Sequence, residues 1–161
     1  MYLNCKTYFS FKYGTYSTKE LVQAAADNGV TALALTNINS TCDTWDFVQY
    51  CREAGIKPVC GAEIRNGDTL LYILLAANNK GLTWINEFLS VHLLEKKDFP
   101  ERAGETPFFN DLWDGFVVYP LGTKPLNELF PNEQVGLLRT DLTKLYSIDW
   151  KPYSDKLVIR Q

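Results

Sequence analysis

The sequence predicts an α/β domain with a mostly parallel sheet, and three observations carry that prediction. The first third alternates strand and helix patterns, with capping residues and glycines at the helix ends. Its second strand reads as a continuous apolar run, as expected of a sheet covered on both faces. The chain has 161 residues, 46% of them hydrophobic and 14% aromatic, which suffices for one domain with a full core. An eightfold barrel usually takes about 250 residues, so a barrel here would be small and poor in helices, or incomplete.

The elements follow in order. Tyr2 to Cys5 is a short strand. Ser17, Thr18, Lys19 and Glu20 form a capping box: the Ser17 hydroxyl can accept from the Glu20 amide while the Glu20 carboxylate reaches back. That helix stops at Gly29, a suitable residue just past a helix end. Val30 to Thr36 is apolar and β-biased and reads as a buried strand. A polar loop, Asn37 to Thr44, leads into a helix carrying Trp45, Val48, Tyr50 and Cys51, which stops at Gly55. Lys57 to Glu63 is the third strand. Asn66-Gly67 is a hairpin-type turn, so Thr69 to Ala76 follows as a fourth strand with no helix between.

A helix from about Gly81 to Leu94 places Trp84, Phe88 and Val91 near helical spacing. Residues 95–114 read as a long loop, of a kind that is often mobile or contacts a partner. Phe116 to Tyr119, Gln134 to Leu138 and Lys156 to Arg160 complete seven candidate strands. Short helical turns are expected at Pro125 to Phe130 and Thr140 to Tyr146.

Composition narrows the function classes. The formal net charge is −3, and autonomous nucleic-acid binders usually carry a basic field, so strong DNA binding by this chain alone is disfavoured. No signal-peptide pattern and no membrane-length apolar stretch is visible, and a cytoplasmic location is expected. The four cysteines (Cys5, Cys42, Cys51 and Cys60) lack CxxC spacing and read as reduced, buried thiols.

In parallel α/β folds the chemistry sits at the carboxyl ends of strands. Those ends hold Asn4, Cys5 and Lys6 on the first strand, Asn37, Ile38 and Asn39 on the second, and Glu63 on the third. Cys5 apart, Glu63 is the only strong metal ligand among them. Lysine opposes a bound dication, asparagine is a weak neutral donor, and isoleucine donates nothing.

These residues also carry a resemblance. The words LNCKTYFSFKYGTYSTKELVQAAADNGVTALALTNINST and FVQYCREAGIKPVCGAEI resemble the start of a PHP (polymerase and histidinol phosphatase) domain. More narrowly they resemble the PHP domain that opens the α subunit of bacterial DNA polymerase III. In that family the first strand ends His-x-His, the second Thr-Asp-His, and the third Gly-x-Glu. Here Asn4 and Lys6 replace the two histidines, Asn37 the aspartate and Ile38 the second-strand histidine, while Glu63 keeps its identity. The likeness is clear over residues 1–94; 95–114 is the loop, and 115–161 supplies the remaining strands of one domain, expected to be a fragment of a longer chain.

The resemblance implies a distorted seven-stranded TIM-like barrel. Intact members bind metals through His, Asp and Glu and hydrolyse phosphoesters. Others have lost their ligands and act as scaffolds. Four replaced ligands imply the second kind: no catalytic residue, no cofactor, and a Lys6–Glu63 salt bridge where metal would sit. The implied partners are the rest of the polymerase chain and a proofreading exonuclease subunit. A phosphoesterase or exonuclease keeping a partial site at Glu63 is one alternative, and a free-standing binding domain another.

The remaining signals read as structural. His92 lies mid-helix, away from any strand end, and is expected to pack rather than catalyse. Cys5 and Cys60 lie near strand positions but lack a histidine base. Lys96 and Lys97 suit a helix carboxyl end. Trp45, Trp84, Trp113 and Trp150 are expected mostly as core or interface anchors, with a partner-facing role as the alternative for Trp113 and Trp150 in their irregular regions.

Overall fold

A computed structural model describes residues 2–109 and 113–160. Seven strands form one sheet in chain order: β1 (Tyr2–Cys5), β2 (Ala32–Ile38), β3 (Lys57–Asn66), β4 (Thr69–Ala76), β5 (Gly115–Pro120), β6 (Glu133–Leu137) and β7 (Leu157–Ile159). β1, β2 and β3 pair in parallel, as do β5, β6 and β7. β4 is antiparallel to both β3 and β5. Six strands therefore share one direction, and their carboxyl ends lie at one side of the sheet.

The sheet is curled into a half-barrel. Leu3 of β1, Val59 of β3, Ile73 and Leu75 of β4, Val118 of β5 and Val158 of β7 belong to one apolar cluster, which a flat sheet could not bring together. β1 and β7 remain the two edges of the strand order. The expectation of a barrel that is possibly incomplete is met as this open half-barrel.

Three helices cover the outer face of the first four strands. The first, α1 (Thr18–Asp27), starts at the Ser17 capping box: the Glu20 amide donates to Ser17 Oγ at 3.3 Å, and the Ser17 amide donates to Glu20 Oε2 at 2.8 Å. It ends before Gly29, whose φ of +66° suits glycine. α2 (Thr44–Glu53) buries Phe47 and Cys51 completely against Leu33 and Leu35 of β2 and Val22 of α1. Burying a side chain the size of Phe47 stabilises the fold by roughly 1.5–3 kcal/mol. α3 (Asn79–Glu95) is capped by Asn78, whose Oδ1 accepts from the Gly81 amide at 3.0 Å.

Several boundaries differ from the sequence reading. β2 begins and ends two residues later than Val30–Thr36, and β3 runs on to Asn66. α3 turns Ile85, Phe88 and Leu89 inward and leaves Val91 exposed, so the buried stripe is shifted from the one expected. Short 3-10 turns occupy Leu126–Glu128, Arg139–Asp141 and Lys144–Ser147, with another at Lys151–Lys156 that the sequence reading did not anticipate.

Of the expected long loop, residues 110–112 lie outside the described residues, and the rest packs over the sheet. Phe99, Ala103, Phe109 and Trp113 are all buried in the largest core cluster. Asn66 fixes its start by accepting from the Phe99 amide at 2.9 Å and donating to the Phe99 carbonyl at 2.8 Å. Trp113 is a core anchor, as mostly expected: it is 4% exposed and donates to the Gly81 carbonyl at 3.2 Å. Trp45, expected as a core or interface anchor, is 81% exposed and lies outside the core, while Trp84 packs partly buried against it. Trp150 is half-buried.

Candidate functional site at the half-barrel mouth

The parallel strand ends converge on one carboxylate. Glu63 is fully buried although it is charged, a placement that requires partners. Lys6, just past β1, puts Nζ 2.7 Å from Glu63 Oε2. Arg65, two residues along β3 and so on the same face, puts Nε 2.5 Å from Glu63 Oε1. Burial is the strongest single influence on the Glu63 carboxyl and pushes its pKa up. Lys6 and Arg65 together outweigh it and hold the group below its ordinary value. Glu63 is thus a fixed anion with each oxygen held by a cation, a poor arrangement for a general base.

The other strand-end residues are engaged in structure. Asn4 Oδ1 accepts from Lys6 Nζ at 2.9 Å and from the Thr36 hydroxyl at 2.7 Å. Asn37 faces away from Glu63 into a separate buried network. Its Oδ1 accepts from the Thr7 amide at 3.0 Å and the Ser10 hydroxyl at 2.7 Å, and its Nδ2 donates to Asp43 Oδ1 at 2.8 Å. Asp43 Oδ2 in turn accepts from the hydroxyls of Thr7 and Thr18. Asn37 thereby ties the β1–α1 loop to the start of α2. Ile38 contributes only its amide, which donates to Ser10 Oγ at 3.0 Å. Asn39, at φ +49°, clamps Arg65: it accepts from the Arg65 amide and donates to the Arg65 carbonyl, each at 2.9 Å.

The Arg65 guanidinium also donates through Nη1 to Tyr13 Oη at 2.9 Å and lies 4.4 Å from the centre of the Tyr13 ring. Arg65 and Tyr13 were not singled out in the sequence. The strand alternation that places residue 65 on the face of residue 63 is the signal that could have found Arg65.

His92 makes no hydrogen bond or ion pair with this group. Its ring stacks on Phe99 at 5.1 Å, and Nδ1 lies 2.9 Å from the Phe88 carbonyl on the same helix. Burial raises the Cys5 and Cys60 thiols above their ordinary value, Cys60 to about 11, which disfavours a thiolate at either. Cys42 is exposed, contrary to the expectation that all four thiols are buried. Lys96 ends α3 in the left-handed region, and Lys97 pairs with Glu95 at 2.6 Å. Among the described residues no group of three or more His, Cys, Asp or Glu side chains could hold a metal ion.

The order of these elements can be compared with known proteins. The PHP domain family matches residues 3–116, more than half of the chain. The chain belongs to the PHP domain family. Among curated relatives, the PHP chain is 34% identical over 96 residues to a DNA polymerase III subunit alpha from Pseudomonas aeruginosa, covering 56% of this chain and 8% of that protein. It is 27% identical over 135 residues to the same subunit from Haemophilus influenzae, covering 77% and 11%. The PHP chain thus spans about a tenth of the length of these relatives. Among solved structures, an amidohydrolase from Chromobacterium violaceum matches with a TM-score of 0.46 at 14% identity, covering 76% of this chain and 67% of that one. No helix among the described residues is long and apolar enough to cross a membrane.

Proposed function

We propose that this PHP domain is a non-catalytic scaffold, the amino-terminal part of a longer replicative polymerase α subunit that works in the cytoplasm. One observation carries the reading: the Lys6 ammonium sits 2.7 Å from Glu63, the carboxylate that the family's pattern would give to a metal. A di- or trinuclear centre needs several anionic or imidazole donors to offset dehydration of its ions. The residues here do not fit that need. Asn4 Oδ1 and both Glu63 oxygens are already taken by cationic or hydroxyl donors, and Asn37 is turned into its own network. Lys6 would further repel a dication.

Retention of the scaffold without its ligands supports a role in holding neighbouring parts of a polymerase together. The expected partners are the remainder of that chain and a proofreading exonuclease subunit. The test is metal content, by inductively coupled plasma mass spectrometry, paired with hydrolysis of a generic phosphodiester and of single-stranded DNA in manganese or zinc. The expected result is substoichiometric metal and no turnover. Metal-dependent turnover that disappears in Glu63→Ala would replace this reading with a phosphoesterase or exonuclease built on Glu63.

A further inference from the structure

The mouth is one end of the half-barrel, and the other end is apolar. Lys57 opens β3, Phe116 and Gln134 stand near the starts of β5 and β6, and Leu75 stands near the end of the reversed β4. All four therefore belong to the end of the sheet opposite Glu63. With Leu3, Val59, Val118 and Val158 they line a hollow of about 470 Å³. Side-chain alternation sets Phe116 on the face of Val118, and Lys57 on the face of Val59. The register places Leu75 beside Phe116 and Gln134 beside Val118. A closed barrel of parallel strands fills its interior with layers of side chains from all its strands. Here β1 and β7 are edges, so the concave wall borders a hollow whose size falls in the range of small-molecule sites.

The polar groups at this end select among occupants. Lys57 is the one charged residue lining the hollow among the described residues, and Gln134 adds an amide. Neither head group is engaged by another side chain among the described residues. The neighbouring charges do not line the hollow. Asp114, just ahead of β5, pairs with Lys80 at 3.6 Å. Glu133, which opens β6, accepts from Lys124 and from Tyr119 Oη. Lys156, just ahead of β7, donates to the Phe130 and Pro131 carbonyls at 3.1 and 2.7 Å, and Asp155 is exposed. One cation and one set of amide donors match a singly charged anion with two acceptor oxygens. A symmetric contact between two copies across the hollow would instead bring two Lys57 side chains together, which like-charge repulsion opposes.

We infer that this hollow binds one free aliphatic monocarboxylate, its chain laid against Val59, Leu75, Val118 and Val158 and its carboxylate at Lys57 and Gln134. The chain supplies most of the affinity, because removing apolar surface from water is the larger effect and Lys57 is exposed. The 45% exposed ring of Phe116 is covered as the chain enters. The strands hold the wall in place, so little order has to be imposed when the ligand arrives. The hollow and Glu63 lie at opposite ends of the sheet, so this inference stands apart from the metal-free reading above.

Octanoate is the probe, titrated into the chain by calorimetry below its micellar range, with hexanoate, octanol and octylamine in parallel. The expected result is saturable one-to-one binding that tightens about fourfold for each methylene added. Octylamine, of opposite charge, should bind about fivefold more weakly than octanoate or worse. Lys57→Gln should weaken octanoate about two- to fivefold and leave octanol unchanged. Phe116→Glu, a change at an exposed position, should weaken octanoate about tenfold or more by placing a carboxylate at the rim. Octanoate should also raise the Tm of the unaltered chain, a readout that stands even where a variant folds poorly. Lack of saturation with no Tm shift, affinity independent of chain length, octylamine bound as tightly as octanoate, or unaltered octanoate affinity in a folded variant would each overturn the inference. Sedimentation equilibrium tests the other occupant. Self-association that Phe116→Glu abolishes and octanoate does not disperse would assign the hollow to a second copy of the chain and overturn the inference as well.

Discussion

Lys6 Nζ and Glu63 Oε2 lie 2.7 Å apart, joining the end of β1 to the end of β3 across the intervening β2. The pair is almost wholly withdrawn from water, and removing one member strands the other. Glu63→Ala is expected to cost about 3–5 kcal/mol, since it leaves Lys6 and Arg65 facing each other without a counter-charge. Lys6→Ala should cost less, because Arg65 still holds Glu63. Urea denaturation of the two variants gives the order directly, and equal losses would contradict it.

The same carboxylate sets an acid limit. The folded-state pKa of Glu63 is held below its ordinary value, so the unfolded chain takes up the proton first as pH falls. The stabilisation is complete above the ordinary glutamate range and is lost as pH drops through the folded value. Denaturation midpoints measured down the acid side should fall in the native chain, and less steeply in Glu63→Gln.

Asn37 offers a sharper case, because the sequence resemblance sets it opposite an aspartate. Asn37→Asp would replace an amide donor, 2.8 Å from Asp43 Oδ1, with a second carboxylate. The substitution is expected to destabilise by about 1–3 kcal/mol and to bring no metal with it. Calorimetric melting with and without manganese tests both parts. A variant as stable as the native chain would show that the network tolerates two acids.

Thiol chemistry should separate the cysteines. Cys42 is exposed, whereas burial raises Cys51 and Cys60 to about 11. At neutral pH and without denaturant, iodoacetamide should label Cys42 first, with Cys51 and Cys60 reacting only as the chain unfolds. Peptide mass spectrometry over a time course reads the order, and early labelling of Cys51 would argue that α2 detaches from β2.

The Ser17–Glu20 box is worth about 1 kcal/mol on the usual scale of helix caps. Ser17→Ala should lower stability by that amount, and Glu20→Ala by part of it, since each leaves one amide without its acceptor. Thermal denaturation of the pair measures it.

How much of this was legible depends on the range of the interaction. The Ser17 box, the Gly29 stop and the Asn66-Gly67 turn are local, and short windows of sequence contain all their participants. Glu63 and Lys6 were legible as strand-end residues. Arg65 was not singled out, although strand alternation sets it on the face of Glu63. The loop over residues 95–114 was misjudged for another reason. Its phenylalanines and Trp113 lack periodicity, so nothing local reveals that they share one core with Phe88 of α3. Trp45 is not part of the core: its helix buries a face through Phe47 and Cys51, and residue 45 falls outside it.

The reversal of β4 has a kinetic side. β3 and β4 meet through a turn whose first residue, Gly67, adopts φ +57°, so Asn66 and Thr69 pair with almost no chain to close. The parallel pairings on either side need crossovers of 12 to 26 residues before any contact repays the loss of freedom. In a folding reaction the hairpin is therefore placed to form early, presenting Glu63 before Lys6 arrives from β1.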